Sequence, residues 1–356
     1  MLERDVLGWS AHWEELAQPF LTGPDTFPAR VAFASHTKVR LLGRRGEESA
    51  VLTGRARRTY PEPAVGDWVV AFEASGGTVA VCAVLPRRNR LARGNTDRRR
   101  TDESLAAEQV LAANLDRVII VCGLDRDYNP RRIERYVTLA WSGGVEPALV
   151  LNKADLRTDV DGLVAETRAL APGAAVLAVS ARDGEGVEAV RRLAAAGQTV
   201  CLVGSSGAGK TTLLNRLLGT DARPTAATSE ATGKGRHTTT HRELYVLPGG
   251  GVVIDTPGLR AVGLDLGEEG LDAAFCDIAQ LARDCRFRDC RHEGEPGCAV
   301  QAAADHGDLD PARWESYRRL GREARYRQLA ADAGTAAAER KRWRSIHKEL
   351  RRMTHG

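Results

Sequence analysis

The chain has 356 residues, 43% of them hydrophobic and 28% charged, and a formal net charge of +4. That length predicts two or three domains with ample material for a core, and the composition is ordinary for a soluble globular protein. No apolar run reaches the roughly 18 residues that a membrane span needs. The opening segment to Leu21 has acids near its start and no long apolar run, which argues against a signal peptide.

Residues 1–29 contain one amphipathic stretch, with Leu7, Trp9, Trp13, Leu16, Ala17 and Phe20 at roughly helical spacing. It reads as a helix that packs on a neighbour. From Arg30 to about residue 86 the pattern changes to short alternating runs broken by Gly and Pro, among them Val31 to Phe33, Lys38 to Leu42, Trp68 to Phe72 and Thr78 to Val81. Such spacing predicts a small antiparallel barrel of the OB type, a fold that often binds RNA but also serves other ligands. Arg40, Arg44, Arg45, Arg55, Arg57 and Arg58 give it a basic surface.

Residues 87–113 read as a linker, charged and without periodicity to about Ala107, and expected to be mobile. Between Arg87 and Arg100 it holds seven arginines (Arg87, Arg88, Arg90, Arg93, Arg98, Arg99 and Arg100) against one acid, Asp97. From Pro311 to the end, 13 Lys and Arg face five Asp and Glu. One such run would be a solvated face, but two at opposite ends of a catalytic domain point to a polyanion such as RNA.

Residues 114–266 alternate regularly. The apolar runs Val118 to Cys122, Ala148 to Leu151, Val176 to Val179, Val200 to Val203 and Val252 to Ile254 read as buried parallel strands. Helical patterns lie between them at Arg131 to Trp141, Val160 to Leu170, Val187 to Ala195 and Lys210 to Leu218, which predicts a doubly wound sheet. Residues 267–356 read as helical around a Cys/His knot, ending in an arginine-rich helix from Glu339 to Arg352.

The strongest chemical signal is Gly204-Ser205-Ser206-Gly207-Ala208-Gly209-Lys210-Thr211, which satisfies GxxxxGK[ST] between a predicted strand and a predicted helix. Glycines let backbone N–H groups turn onto phosphates, and the helix N-terminus adds the positive end of its dipole. Lys210 is placed to reach the β- and γ-phosphates, and the Thr211 hydroxyl to ligate Mg²⁺. The base comes from Asn152-Lys153-Ala154-Asp155 at a strand end. A carboxylate at Asp155 accepts from N1–H and the 2-amino group of guanine, whereas adenine would leave it unpaired. Ser180-Ala181-Arg182, one strand later, suits the loop that supports the guanine carbonyl.

Asp255 ends the last strand and is expected to hold Mg²⁺ through water, with the Gly258 N–H sensing the γ-phosphate. The polar loop 232–240 (TGKGRHTTT) supplies Thr239 as the third Mg²⁺ group and His237 as a candidate to orient the attacking water. Leu259 stands where many GTPases carry a glutamine and cannot do that job. An arginine from a partner is the rival to His237, and an ordinary exposed loop histidine is an equally good reading of it.

Seven cysteines, four of them (Cys276, Cys285, Cys290, Cys298) in one short region, suit a metal site in a cytosolic protein better than a disulfide framework. Cys285, Cys290, His292 and Cys298 fall within fourteen residues and suit one tetrahedral structural Zn²⁺. An iron–sulfur site or four buried thiols remain open. Cys276, Cys82, Cys122 and Cys201 read as core.

The motif order NKAD, SAR, GSSGAGKT, HTTT, DTPG reverses the usual arrangement, in which the phosphate loop comes first. With the N-terminal barrel and the Cys3His knot, it resembles the ribosome small subunit-dependent GTPase A family of bacteria, from about Arg30 to Gln301. The resemblance implies a cytoplasmic GTP hydrolase that acts late in small-subunit maturation and is stimulated by that subunit, with barrel and zinc domain gripping ribosomal RNA. It implies GTP binding by Asn152 to Asp155 and by Gly204 to Thr212, and zinc binding by Cys285, Cys290, His292 and Cys298. A monomer without membrane contact is expected. An RNA-binding module that uses nucleotide only to set its conformation is the alternative, and an ATPase is disfavoured by Asp155. The permuted order also puts the switch strand ending at Asp255 directly before the zinc segment, a short path for passing switch motion to an appendage.

Overall fold

The computed structural model describes residues 4–35, 38–43, 46–74, 76–93, 109–220, 242–256, 266–326 and 328–329. Two compact units share the chain, one of residues 1–91 with 110–262, the other of residues 92–109 with 263–356. The first unit contains both the barrel and the α/β sheet.

Its N-terminal segment folds as a 3-10 turn (Arg4–Leu7), helix α1 (Ala11–Ala17) and a second 3-10 turn (Gln18–Phe20). Trp13 and Ala17 are buried, and Trp9 meets the Trp68 ring edge-on at 4.8 Å, so the apolar stripe docks as its spacing predicts. The barrel strands are β1 (Thr26–Ala34), β2 (Val39–Gly43), β3 (Gly46–Leu52), β4 (Trp68–Ala74) and β5 (Thr78–Val84). They close in the order β1-β2-β3-β5-β4, with β3 and β5 parallel and the other pairs antiparallel. Aliphatic residues, mostly Val and Ala, fill the interior, Val31, Leu41, Val69, Ala71, Val79 and Val81 among them. Helix α2 (Gly54–Thr59) follows β3, its first turn capped by the Thr53 hydroxyl, which accepts from the Ala56 N–H at 3.1 Å. Strand β1 begins at Thr26, ahead of the expected boundary at Arg30.

Arg30 sits on β1 opposite Trp68, with its guanidinium 5.1 Å from that ring's centre and only 1% of the residue exposed. Its Nε donates to the Gly66 carbonyl at 3.2 Å, Nη2 to the Asn114 carbonyl at 3.0 Å and Nη1 to Thr199 Oγ1 at 2.8 Å. Nη1 also donates to the Leu7 carbonyl. Burial pulls its pKa down, and the Asp116 charge opposes that pull. Beside it, Gly66 has φ +94°, and a Cβ there would run into the Ala113 carbonyl, so barrel turn and sheet approach closely only with glycine.

The segment read as a structureless linker is partly built. Arg87 forks onto the buried Asp67 carboxylate at 2.8 and 2.7 Å, and Arg88 meets Asp116 at 2.7 Å. Strands β6 (Arg90–Arg93) and β7 (Gln109–Ala113) pair with each other. Arg87 and Arg88 therefore have carboxylate partners, a tertiary fact that composition hides. Residues 94–108, including Arg98 to Arg100, lie outside the described residues, as do Arg44, Arg45 and the helix expected from Glu339 to Arg352.

The α/β sheet has β8 (Arg117–Gly123), β9 (Glu146–Asn152), β10 (Ala175–Val179), β11 (Thr199–Val203), β12 (Glu243–Val246) and β13 (Val252–Asp255). Their spatial order is β10-β9-β8-β11-β13-β12, all parallel except β12 against β13. Helices α3 (Pro130–Ser142), α4 (Val160–Leu170), α5 (Val187–Leu193) and α6 (Lys210–Leu218) connect them. The chain winds one way from β8 to β10 and the other way from β11, so the order reverses between β8 and β11, where a parallel sheet opens a crevice for ligands. Arg40 of the barrel pairs with Glu243 on the edge strand β12.

The second unit, taken by itself, holds α7 (Glu268–Ala274), α8 (Cys276–Ala282), α9 (Ala299–His306) and a helix over residues 311–326. Arg313, 6% exposed, forks onto Asp277 at 2.7 and 2.6 Å and lies over the Phe275 ring, locking the last helix onto α7 and α8. No helix among the described residues is long and apolar enough to cross a membrane. The expected multidomain class holds: an N-terminal barrel, a central α/β sheet and a C-terminal helical part around a Cys/His cluster.

Replacing Arg30 by Met strips four buried acceptors of their donor and is expected to cost about 3 kcal/mol of stability. Urea unfolding reads this as a lowered midpoint at unchanged slope; an unmoved midpoint would mean that Arg30 does not hold the unit together.

Candidate nucleotide site and metal centre

The glycine-rich loop leaves β11 and enters α6 at Lys210, as its pattern predicts. Gly209 has φ +94° and lies so close to the Asn152 amide that a Cβ would collide with it, so glycine is obligatory there. Lys210 is 8% exposed, and its Nζ donates to the carbonyls of Gly204 at 2.9 Å and Ser205 at 2.7 Å. Burial lowers its pKa, while the nearby Asp255 and Asp127 charges favour the ammonium.

Asn152 draws three motifs together. It is 2% exposed, its Nδ2 donates to the Ala208 carbonyl of the phosphate loop at 2.9 Å, and its Oδ1 accepts from the Ala181 N–H at 3.0 Å. Lys153 follows in the left-handed region at φ +65° and pairs with Asp125 at 2.5 Å. The turn so produced carries Ala154 and Asp155 in a 3-10 helix, with Asp155 exposed beyond the strand end. The Ser180 hydroxyl meets Asp183 at 2.9 Å, and the Ala181 carbonyl accepts from Arg216 Nε of α6 at 3.0 Å. NKAD, SAR and the phosphate loop, separated in sequence, thus share hydrogen bonds at the carboxyl edge of one sheet.

Asp255 ends β13 level with Leu202 on β11 and is 1% exposed, and the Thr256 hydroxyl behind it donates to the Leu202 carbonyl at 2.7 Å. Thr211 opens α6 from the adjoining strand. A hydroxyl and a carboxylate are the hard oxygen donors that Mg²⁺ prefers, so these residues fit that ion. His237, Thr239, Gly258 and Leu259 lie outside the described residues. Asp125 and Asp127, in the loop after β8, were not singled out from the sequence; a GxDxD run directly after an apolar strand was the available signal.

In the second unit, the ligating atoms of Cys285, Cys290, His292 and Cys298 all lie within 4.8 Å of one another. His292 Nδ1 is 3.3 Å from Cys298 Sγ and 3.6 Å from Cys285 Sγ, and the two sulfurs are 4.0 Å apart. Sulfurs around a tetrahedral ion bound at about 2.3 Å are separated by about 3.8 Å, so the cluster has the dimensions of a four-ligand site. The Cys298 sulfur also accepts the Gln301 N–H at the start of α9. Burial keeps the His292 imidazole below its usual pKa and so neutral, the ligating form. Trp314 and Tyr317 flank that ring at 6.1 and 6.5 Å. Cys122 and Cys201 are core as expected, whereas Cys82 and Cys276 are only half-buried.

Residues 84–265 match the family model described as RsgA GTPase. A protein of Opitutus terrae named small ribosomal subunit biogenesis GTPase RsgA is 47% identical, over 97% of this chain and 96% of that relative. A protein of the same name from Syntrophotalea carbinolica is 44% identical over the same shares. Among solved structures, YjeQ from Thermotoga maritima matches at TM-score 0.62 and 26% identity, over 84% of this chain and 98% of that one. YloQ, described as a circularly permuted GTPase, has the same fold at TM-score 0.61 and 22% identity, over 86% of this chain and 97% of that one. The NKAD, SAR and glycine-rich segments meet on one sheet edge, and with a family model over residues 84–265 and relatives this similar along nearly the whole chain, this protein is a member of the RsgA GTPase family.

Proposed function

We propose that the protein hydrolyses GTP to GDP and phosphate on the small ribosomal subunit during its late maturation, and that the subunit stimulates turnover. The observation that carries this reading is the Asn152 side chain, which fastens the guanine-reading turn to the phosphate loop and to the Ala181 N–H. The relatives' names supply the subunit as partner.

In this reading Asp155 accepts from guanine N1–H and the 2-amino group, and the Ala181 region supports the carbonyl. The N–H groups of Gly204 to Thr212 surround the phosphates, and the Lys210 ammonium offsets charge on the β- and γ-phosphoryl oxygens. Thr211, Asp255 and Thr239 would hold Mg²⁺, which supplies charge neutralisation between those phosphates. His237 orients the attacking water, whose oxygen bonds to the γ-phosphorus as the β–γ bridging bond breaks, and Gly258 contacts the transferred group. The Cys3His cluster holds one structural Zn²⁺, since three thiolates and an imidazole in a closed tetrahedron suit that ion. The protein works as a cytoplasmic monomer, gripping ribosomal RNA through the barrel and the zinc unit.

GTP turnover measured with and without purified small subunits tests the central claim: stimulation is expected, whereas equal rates would leave a nucleotide-gated RNA-binding module as the better description. Changing His237 to Ala should cut stimulated turnover about a hundredfold at unchanged GTP affinity, the usual weight of a positioned polar group; unchanged turnover would assign the water to a ribosomal group. Chelation should release one zinc per chain, alter Trp314 fluorescence beside His292 and leave GDP binding intact. Iron in the released metal, or none, would overturn the zinc assignment.

A further inference from the structure

The order of the sheet reverses between β8 and β11, so the loops leaving those two strands face each other across the crevice. One is the phosphate loop. The other runs from Gly123 to Asn129 and corresponds to none of the motifs read from the sequence.

Two of its side chains reach into the two halves of the nucleotide site. Asp127 Oδ2 accepts from the Ser205 hydroxyl at 2.5 Å and lies 3.4 Å from the Gly123 N–H. Its Oδ1 is 2.8 Å from Arg132 Nη2. Ser205 is therefore held twice, its hydroxyl by Asp127 and its carbonyl by the Lys210 ammonium. Asp125 Oδ2 takes the Lys153 ammonium at 2.5 Å, while its Oδ1 accepts the Asp127 N–H at 3.1 Å. One short loop thus grips the phosphate loop with one aspartate and the guanine-reading turn with the other, and a hydrogen bond gears the two together.

We propose that Asp127 and Asp125 are positioning residues of the nucleotide site, Asp127 for the phosphate loop and Asp125 for the turn that carries Asp155. A carboxylate beside a phosphate site would ordinarily repel the ligand, but Arg132 neutralises Asp127 at ion-pair distance. What remains is ordering: Ser205 is fixed before ligand arrives, and binding then costs less conformational entropy. Lys153 needs its partner for a related reason, because a lysine backbone at φ +65° is strained and persists where its surroundings fix it. The two roles differ in what they sense. Loss of Asp127 acts on the part of the ligand that the phosphate loop wraps, and loss of Asp125 acts on the base.

The inference rests on the reading that this site binds guanine nucleotides, and GDP and GMP binding to the full-length protein separate the two. Asp127→Ala is expected to weaken GDP about tenfold, the weight of one charge-assisted hydrogen bond, and GMP by less than about twofold. Asp125→Ala should weaken both ligands by the same factor. Ser205→Ala should weaken GDP in the same selective way, and adding it to Asp127→Ala should cost nothing further, since the hydrogen bond between the two residues is already gone. Asp127→Asn, whose amide oxygen still accepts from Ser205, should recover part of the loss, and it decides the matter with Ser205→Ala if the alanine variant unfolds. Additive losses, or equal weakening of GDP and GMP by the Asp127 variants, would overturn the proposal. Failure of the wild-type protein to bind GDP would instead overturn the functional reading beneath it.

Discussion

A buried cation without a carboxylate in contact is costly unless its nitrogens find acceptors, and Arg30 meets that condition by drawing on separate parts of the chain. Its acceptors are Leu7 from the N-terminal segment, Gly66 from the barrel, and Asn114 and Thr199 from the amino-terminal edge of the α/β sheet. None of these segments could desolvate the guanidinium alone. The arrangement therefore favours the state in which all three are assembled, which explains why barrel and sheet form a single compact unit. Around it, Trp68, Gly66 and the Arg87–Asp67 fork complete the junction with aromatic stacking, close backbone approach and a second ion pair.

That rigid junction lies at one end of the strands, and the nucleotide site lies at the other. Thr199 begins β11 under Arg30, and Gly204 leaves the same strand into the phosphate loop. A fixed strand of five buried residues is what separates them. The sheet order explains how a permuted chain keeps the site intact: hydrogen bonding and burial determine which strands are neighbours, and loops of either order can join them. The crevice belongs to the strand order and not to the chain order, so the NKAD and glycine-rich segments converge although their sequence order is reversed.

The second unit obeys a different logic. Three of its helices, α7, α8 and α9, are only seven or eight residues long, and such helices are marginal without tertiary support. Support comes from the Arg313–Asp277 fork, from Tyr317, which stacks on Trp314 and meets Phe275 edge-on, and from a Cys/His cluster whose loop uses left-handed backbone at His292. A metal there would add binding energy that counts directly as folding energy.

Much of the protein was legible in the residues themselves. The strand–loop–helix around Gly204 to Lys210, the turn after Asn152 and the gathering of Cys285, Cys290, His292 and Cys298 were legible because short local patterns encode them. The buried strands were legible for the same reason, as continuous apolar runs. What stayed hidden depended on partners distant in sequence. Arg30, Arg87 and Arg88 look like surface charge in a linear reading, yet they bridge segments up to 169 residues apart. The GxDxD run of Asp125 and Asp127 does not say what the two aspartates touch, and only the reversal of strand order between β8 and β11 brings their loop against Ser205 and Lys153. Sequence by itself determined the local motifs and the strands that carry them, because those are made by neighbouring residues. The tertiary structure alone decided which charged side chains serve as struts, because the worth of a charge is set by what surrounds it after folding.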